Sequence, residues 1–278
     1  MEKLSGKTAL VTGSTDGVGR LVARKLGQAG ARVLVHGRDV KRGARIVADI
    51  EASGGAADFI AADLSALAEV RRLADAAQAV DRLDILINNA GIGTAGPRQT
   101  SAEGFELRFA VNYLAGFLLT LLLLPLIKNS APARIVNVSS AGQRPIDFGD
   151  VMLTRGYSGA RAYCQSKLAQ IMFTIDLAAS LKGAGVTVTC LHPATYMDTS
   201  MVRRAGVTPV STVEEGAQAI LNLATSPAVE GQTGLYFNGL REARAQAQAY
   251  DPDARRRLQA LSLELTGLSA QGVAGLER

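Results

Sequence analysis

Short, nearly unbroken apolar runs alternate along this chain with longer segments whose apolar residues recur every three or four positions. The runs at Thr8 to Thr12, Val33 to Val35, Asp58 to Ala61, Asp84 to Ile87, Arg134 to Val138, Val186 to Leu191 and Leu235 to Phe237 read as strands. Between them the spacing predicts helices over Val18 to Ala29, Val40 to Ala52, Ala66 to Val80, Leu107 to Ile127 and Ala162 to Leu181, and one amphipathic helix after Tyr250. Such alternation builds a parallel sheet with helices on both faces, and a run like Asp84-Ile85-Leu86-Ile87 suits a strand buried on both sides. The expected fold is therefore α/β: a doubly wound, seven-stranded parallel sheet flanked by helices, with a C-terminal helical extension. No Pro/Gly/Ser-rich linker, repeat or low-complexity tract breaks the pattern, so residues 1–278 read as a single domain.

Composition narrows the classes of function. An apolar fraction of 47% can fill one core, whereas 5% aromatic residues and no Trp disfavour a base-stacking surface. The net charge of +5 is spread along the chain, and the one triple, Arg255-Arg256-Arg257, stands beside Asp251 and Asp253. It reads as the solvated face of a helix, so no nucleic-acid partner is expected. Two cysteines, Cys164 and Cys190, and two histidines, His36 and His192, supply neither a disulfide framework nor metal-ligand spacing, and a reducing cytoplasm is the expected location. The first residues carry no apolar signal segment. The most apolar stretch, Tyr113 to Ile127, is shorter than the roughly 20 residues of a bilayer span and contains Pro125, so it reads as a buried helix, with membrane association the lesser alternative.

Candidate chemistry begins directly after the first strand, at Thr12-Gly13-Ser14-Thr15-Asp16-Gly17-Val18-Gly19. Gly13 permits a sharp exit from the strand, Gly17 lets backbone approach a pyrophosphate, and Gly19 allows close packing beneath the helix. The helix N-terminus adds unpaired N–H donors and a positive dipole end. A ligand-free strand-to-helix turn would give the same local pattern, and the residues farther along decide between the two. At the end of the second strand, where NAD-selective sites of the Rossmann type carry an acidic group for the ribose 2′-hydroxyl, this chain has Gly37-Arg38. A guanidinium there could pair with a 2′-phosphate, which favours NADP(H), with NAD(H) also possible. Asp16 and Asp39 add opposing negative charge, and an exposed surface arginine is the competing reading.

Taken in order, the glycine turn, Asn88-Asn89-Ala90-Gly91, Asn112, Ser140 and Tyr163-x-x-x-Lys167 resemble the short-chain dehydrogenase/reductase family over nearly the whole chain. Ile135-Val136-Asn137-Val138-Ser139-Ser140, Ala162-Tyr163-Cys164-Gln165-Ser166-Lys167-Leu168-Ala169, Leu191-His192-Pro193, the long gap between Ser140 and Tyr163 and the C-terminal helix look most like its retinol dehydrogenase-like group. The resemblance implies a cofactor half over about 1–140 and a catalytic half over about 141–278. It implies that Asn89, Ala90 and Gly91 line the cofactor cleft and that Asp63-Leu64 contacts adenine. For Asp63 an N-cap role is the alternative, and Ser65 competes for it.

Tyr163 and Lys167 are four residues apart on one predicted helix and so share a face. A phenol is a poor base near neutrality, but a nearby ammonium and an oxidised nicotinamide would lower its pKa, making Tyr163 a usable acid or base. In the family pattern Ser140, rather than Ser139, bonds the reacting oxygen, Lys167 also holds the ribose, and Asn112 holds a water that links Lys167 to solvent. Cys164 reads as a buried thiol and His192 as structural. The pattern departs from the family after Pro193: Ala194 stands where glycine is usual, and Thr199 falls one residue late, so either the loop bulges to restore Thr199 or Thr195 takes its part against the nicotinamide. The apolar stretch from Tyr196 to Val213 predicts a lid and a lipophilic carbonyl or alcohol substrate. Loss of Tyr163 or Lys167 would have pointed instead to a non-catalytic dinucleotide sensor. Family members self-associate through the helices carrying Asn112 and Tyr163, which makes a homodimer possible unless the C-terminal helix covers that surface.

Overall fold

The computed structural model describes residues 3–269. An eight-stranded sheet runs through them in the order β3-β2-β1-β4-β5-β6-β7-β8. The strands are β1 (Thr8–Val11), β2 (Arg32–Gly37), β3 (Ala56–Ala61), β4 (Ile85–Asn88), β5 (Ala133–Val138), β6 (Val186–His192), β7 (Tyr236–Asn238) and β8 (Arg241–Ala243). The first seven are parallel, and β8 turns back antiparallel on β7. The expected seven parallel strands are therefore present, with an eighth added at the edge. The sequence pattern hid it because three residues, Arg241-Glu242-Ala243, two of them exposed and charged, carry no apolar signal.

Alternation within the strands sorts residues onto two cores. Leu10, Leu34, Leu86 and Ile135 face one side with α3 (Leu67–Ala77), α4 (Ala115–Asn129), α5 (Gly159–Ser180) and α8 (Pro252–Thr266). Ala9, Val11, Val33, Val35, Ile85, Ile87 and Val136 face the other, under α1 (Gly17–Gln28), α2 (Val40–Ala52) and α7 (Val213–Thr225). The chain reverses its direction of strand addition between β1 and β4, and the crevice at the carboxyl ends of these strands is where such sheets bind ligands.

The helical segments depart from expectation in several places, and α7 is a helix that none of the expected segments covers. The helix expected from Leu107 begins with a π-helical turn, Phe109–Leu114, before α4 takes over, and that turn carries Asn112. Together they form a helix of 21 residues, Phe109–Asn129, so length no longer argues against a membrane span. Burial does: 72% of its most apolar window lies inside the fold, as a core helix requires. Arg255 is not solvated but pairs with Asp176 at 2.8 Å and donates to the Ala249 carbonyl, while Arg257 lies over the Phe148 ring at 4.5 Å. With the 2.7 Å bond between the Tyr113 and Ser262 hydroxyls, these contacts seat α8 of the same chain across α5 and the π-helical turn. The helix expected after Tyr250 spans Pro252–Thr266 and ends at Gly267 in the left-handed conformation. The remainder of that segment, 270–278, lies outside the described residues.

Candidate active site

The glycine turn is built so that glycine is required. A Cβ on Gly19 would fall 2.3 Å from Asn89 Nδ2 and 2.5 Å from the Gly13 carbonyl, and one on Gly13 would fall 2.9 Å from Ala90 Cα. Asn89 braces the turn through bonds from Nδ2 to the Thr12 and Gly13 carbonyls, and Thr12 Oγ1 accepts from the backbone N–H groups of Asn89 and Ala90. Ser14 is fully buried, its hydroxyl held at 2.9 Å by the His36 N–H, so it pins the turn to β2 rather than facing the crevice. Val18 and Leu64 are likewise packed in the cores, which leaves backbone rather than side chain for any ligand contact at those positions. Neither Asp63 nor Ser65 caps α3. Ala66 is its N-cap without a side-chain bond, the Ser65 N–H donates to Asp63 Oδ1, and Glu103 takes the Leu67 N–H at 2.7 Å.

His36 carries more of this region than its isolated position in the sequence suggested. Its Nδ1 accepts from the Gly13 N–H at 3.0 Å, and Nε2 lies 3.2 Å from the Ala62 carbonyl, so the ring bridges the glycine turn and the end of β3 as the Nε2–H tautomer. Burial drives its pKa from 6.5 down to about 4. Because the folded state holds the neutral ring, the unfolded chain takes up the proton first, and stability falls as pH drops from about 6.5 to about 4, by up to roughly 3 kcal/mol at 1.36 kcal/mol per unit. In His36→Asn, whose side-chain oxygen can still accept from Gly13, urea melts at pH 7 and pH 4.5 should differ by less than in the wild type. An unchanged difference would remove His36 as its source.

Asp16, Thr15, Thr199 and the lid meet at the same turn. Asp16 caps α1 at the Gly17 N–H, and its other oxygen accepts from the Ser200 hydroxyl at 2.6 Å. Thr199 caps the five-residue helix α6 (Ser200–Arg204) and stands against Gly17, 3.4 Å from where a Cβ would lie. Thr195 instead turns to His192, with 3.0 Å between Oγ1 and Nε2. Between the two threonines Tyr196 adopts φ 45°, a left-handed kink that accommodates the additional residue after Pro193. Met201 packs over Gly93, and a cleft of about 420 Å³ separates the lid from the first turns of α1. Thr15 packs against Gly37, where a Cβ would come within 2.5 Å, so the end of β2 must be glycine. Arg38 beyond it is exposed and only loosely paired, 3.8 Å from Asp63 Oδ2.

On the other side of the crevice, Ser140 leaves β5 and Tyr163 and Lys167 rise from the first half of α5, which Ser158 caps by accepting from the Arg161 N–H. The space beside Gly142 is walled by Ser140 Oγ, Tyr163 and Cys164 Sγ, all within 4 Å of a Cβ placed there. Cys164 is thus half-buried beside the site rather than fully sequestered. Burial raises the Tyr163 pKa above 10, and the bond with the Ser140 side chain opposes the rise. The expected lowering by Lys167 is not found here: the amine is desolvated, its own pKa driven down to about 7, and it sits 5.7 Å from the centre of the Tyr163 ring. Lys167 Nζ donates to the Val138 carbonyl at 2.8 Å and to Gln170 Oε1 at 2.9 Å. Asn112 holds the Ile92 backbone at both ends, accepting its N–H and donating to its carbonyl, and donates also to Ser166 Oγ. Gly91 lies between the two, its absent Cβ 3.3 Å from Asn112 Oδ1 and 3.6 Å from Lys167 Nζ.

A cradle in which no Cβ fits at Gly13 or Gly19, an N-terminal helix end beside it and a Ser140-Tyr163-Lys167 set define a dinucleotide-dependent oxidoreductase. The family model for short chain dehydrogenases matches residues 7–208, and the chain belongs to that family, whose members act on CH–OH and C=O groups with a nicotinamide cofactor. It is 38% identical to retinol dehydrogenase 11 of Homo sapiens, over 96% of this chain and 87% of that protein. Among solved structures, an uncharacterized protein from Mycobacterium Paratuberculosis superposes with a TM-score of 0.79 at 30% identity, covering 97% of this chain and 96% of that one. The Pseudomonas aeruginosa RhlG/NADP active-site complex superposes at 0.68 and 32% identity, over 86% and 97%. Sequence reasoning had placed Tyr163, Lys167, Ser140, Asn112 and the glycine turn in one crevice, and the fold brings them together. It missed His36 and Thr12, whose roles depend on contacts across 23 and 75 residues that no local pattern marks, and Gln170, three residues beyond Lys167 on the same helix.

Proposed function

We propose that this protein transfers hydride between NADP(H) and a lipophilic carbonyl or alcohol, with Tyr163 as the general acid or base. The carrying observation is the placement of the Tyr163 phenol against the Ser140 hydroxyl, on the helix face that also presents Lys167 beside Gly91. The bound nicotinamide would supply or accept the hydride. In reduction Tyr163 donates its proton to the developing alkoxide while Ser140 bonds the same oxygen, and in oxidation Tyr163 takes the hydroxyl proton. A phenol held above its ordinary pKa by burial is fully protonated at neutral pH, which suits the reductive direction. Lys167 supplies positive charge and a free N–H toward the crevice. A relay through Asn112 is supported by a cavity of about 10 Å³ lined by Asn88, Ala90, Asn112 and Gln170, about the room one water needs.

The pyrophosphate fits the glycine cradle, with Thr199 the better placed of the two threonines to close over it. Arg38, exposed and only loosely paired with Asp63, supports recognition of a 2′-phosphate, as does likeness to a protein solved with NADP. The lipophilic substrate is supported by Tyr196, Met201 and Val210, all exposed along the lid, at 52%, 37% and 69%. Turnover of a panel of aldehydes, ketones and alcohols with NADPH, NADH and their oxidised forms tests the reading, and absence of turnover across the panel would count against it. In the same assay Arg38→Asp should raise the KM for NADPH roughly ten- to a hundredfold, the loss of one charge-assisted contact, and change that for NADH far less. Equal effects on both cofactors would show that Arg38 does not read the phosphate.

A further inference from the structure

We infer that Gln170 is a positioning residue for Lys167: its carboxamide oxygen fixes the amine in the one orientation that leaves an N–H directed at the crevice beside Gly91. This rests on the reading of Tyr163 and Lys167 as the proton-handling pair. Gln170 stands three residues beyond Lys167 on α5, a spacing that stacks side chains on one helix face, and both are 4% exposed. Of the three Nζ donors, one goes to the Val138 carbonyl at the end of β5 and one to Gln170 Oε1 at 2.9 Å. Among the described residues the third has no protein acceptor, and it belongs to the nitrogen that a Cβ on Gly91 would approach to 3.6 Å. Without Gln170 the long, rotatable lysine chain would be held at one point only.

Gln170 is itself held. Its backbone carbonyl accepts from Thr174 Oγ1, which in turn accepts from Asn137 Nδ2 on β5, and Asn137 Oδ1 accepts from Asn88 Nδ2 on β4. These buried amides and hydroxyls tie the α5 backbone at Gln170 to the two central strands, so the residue that offers the acceptor to Lys167 is fixed relative to the sheet. The choice of a neutral amide also follows. A carboxylate at that distance would form an ion pair with the amine, whereas a carboxamide oxygen accepts its N–H and leaves the charge unneutralised. The groups facing Nζ are the Val138 carbonyl on β5, Gln170 and the Tyr163 ring on α5, and Asn112 on the π-helical turn across Gly91. Tyr163 is the one titratable side chain among them. Both acceptors of the amine are neutral, so no ion pair competes with the Gln170 contact.

The test is the titration of Lys167 in the full chain without cofactor, followed by NMR of lysine labelled at Cε and assigned by the signal lost in Lys167→Arg. In the wild type, with burial driving the pKa down to about 7, the amine is expected to titrate there. Gln170→Met, similar in length but without an acceptor, should lower that midpoint by roughly one unit, and Gln170→Glu should raise it by at least as much. The pH at which kcat declines should move in the same two directions. A Lys167 midpoint unmoved in both variants would overturn the inference, and if the Met variant does not fold, an unmoved midpoint in Gln170→Glu does so alone. Because the titration needs neither cofactor nor turnover, it stands apart from Tyr163→Phe, whose retained activity would defeat the underlying assignment instead.

Discussion

Tyr163→Phe is expected to lower kcat by roughly 10²- to 10⁴-fold, the range general acid–base catalysis contributes. The substitution removes a proton donor and leaves the shape of the site unchanged. Phenylalanine keeps the ring that walls the space beside Gly142, and the backbone of α5 is set by its Ser158 cap and by two cores that do not depend on the hydroxyl. What disappears is the hydroxyl that meets the Ser140 side chain and can give a proton to an alkoxide. The glycine cradle, Arg38 and Lys167 are untouched, so NADPH affinity measured by fluorescence titration should stay within about threefold of the wild type, under 1 kcal/mol. Retained turnover within about tenfold of the wild type would defeat the assignment, since one order of magnitude is too small for loss of the proton donor. A large loss of cofactor affinity would instead show that the hydroxyl acts in binding.

The elements that the sequence made legible are those with internal repetition. Strand runs such as Ile85-Leu86-Ile87 and helices such as Val40–Ala52 announce themselves because burial on two faces, or on one stripe, imposes a period. Motif order then located Ser140, Tyr163 and Lys167. What stayed hidden depends on tertiary contact. The short edge strand β8 exists because it pairs with β7, the π-helical turn at Phe109–Leu114 has the same composition as the α-helix it joins, and Arg255 looks solvated until Asp176 is brought to 2.8 Å. That Thr199 rather than Thr195 stands against Gly17 goes with the Tyr196 kink, which side-chain identity does not signal. Lys167 presents the sharpest difference: its position followed from spacing, but its electrostatics followed from burial, which spacing does not report.

Arg108→Leu is expected to destabilise the fold by about 3–5 kcal/mol, the cost of leaving a buried charge without its partner. Arg108 and Glu106 are 3% and 1% exposed and lie 3.6 Å apart at the entry to the π-helical turn. The guanidinium donates to the Gly93 carbonyl at 2.7 Å, to the Ala95 carbonyl at 2.5 Å and to the Tyr157 hydroxyl, so one side chain joins the loop after β4 to the approach to α5. Leucine fills much of the volume but strands two carbonyls and a carboxylate. At about 2–4 °C per kcal/mol for a domain of this size, the melting temperature should fall by about 10 °C. Two costs are mixed in that figure, and Arg108→Leu combined with Glu106→Gln separates them. Glutamine can still accept the Phe109 N–H on its amide oxygen and donate its amide N–H to the Tyr157 hydroxyl oxygen, while removing the stranded charge. If the stranded carboxylate dominates, the double variant should recover more than half of the lost stability. If the unpaired Gly93 and Ala95 carbonyls dominate, it should recover little, and the KM for substrate should rise, because that loop, with Met201 seated on Gly93, borders the crevice. A single variant that melts within about 2 °C of the wild type would show that the buried pair carries none of the stability argued for it.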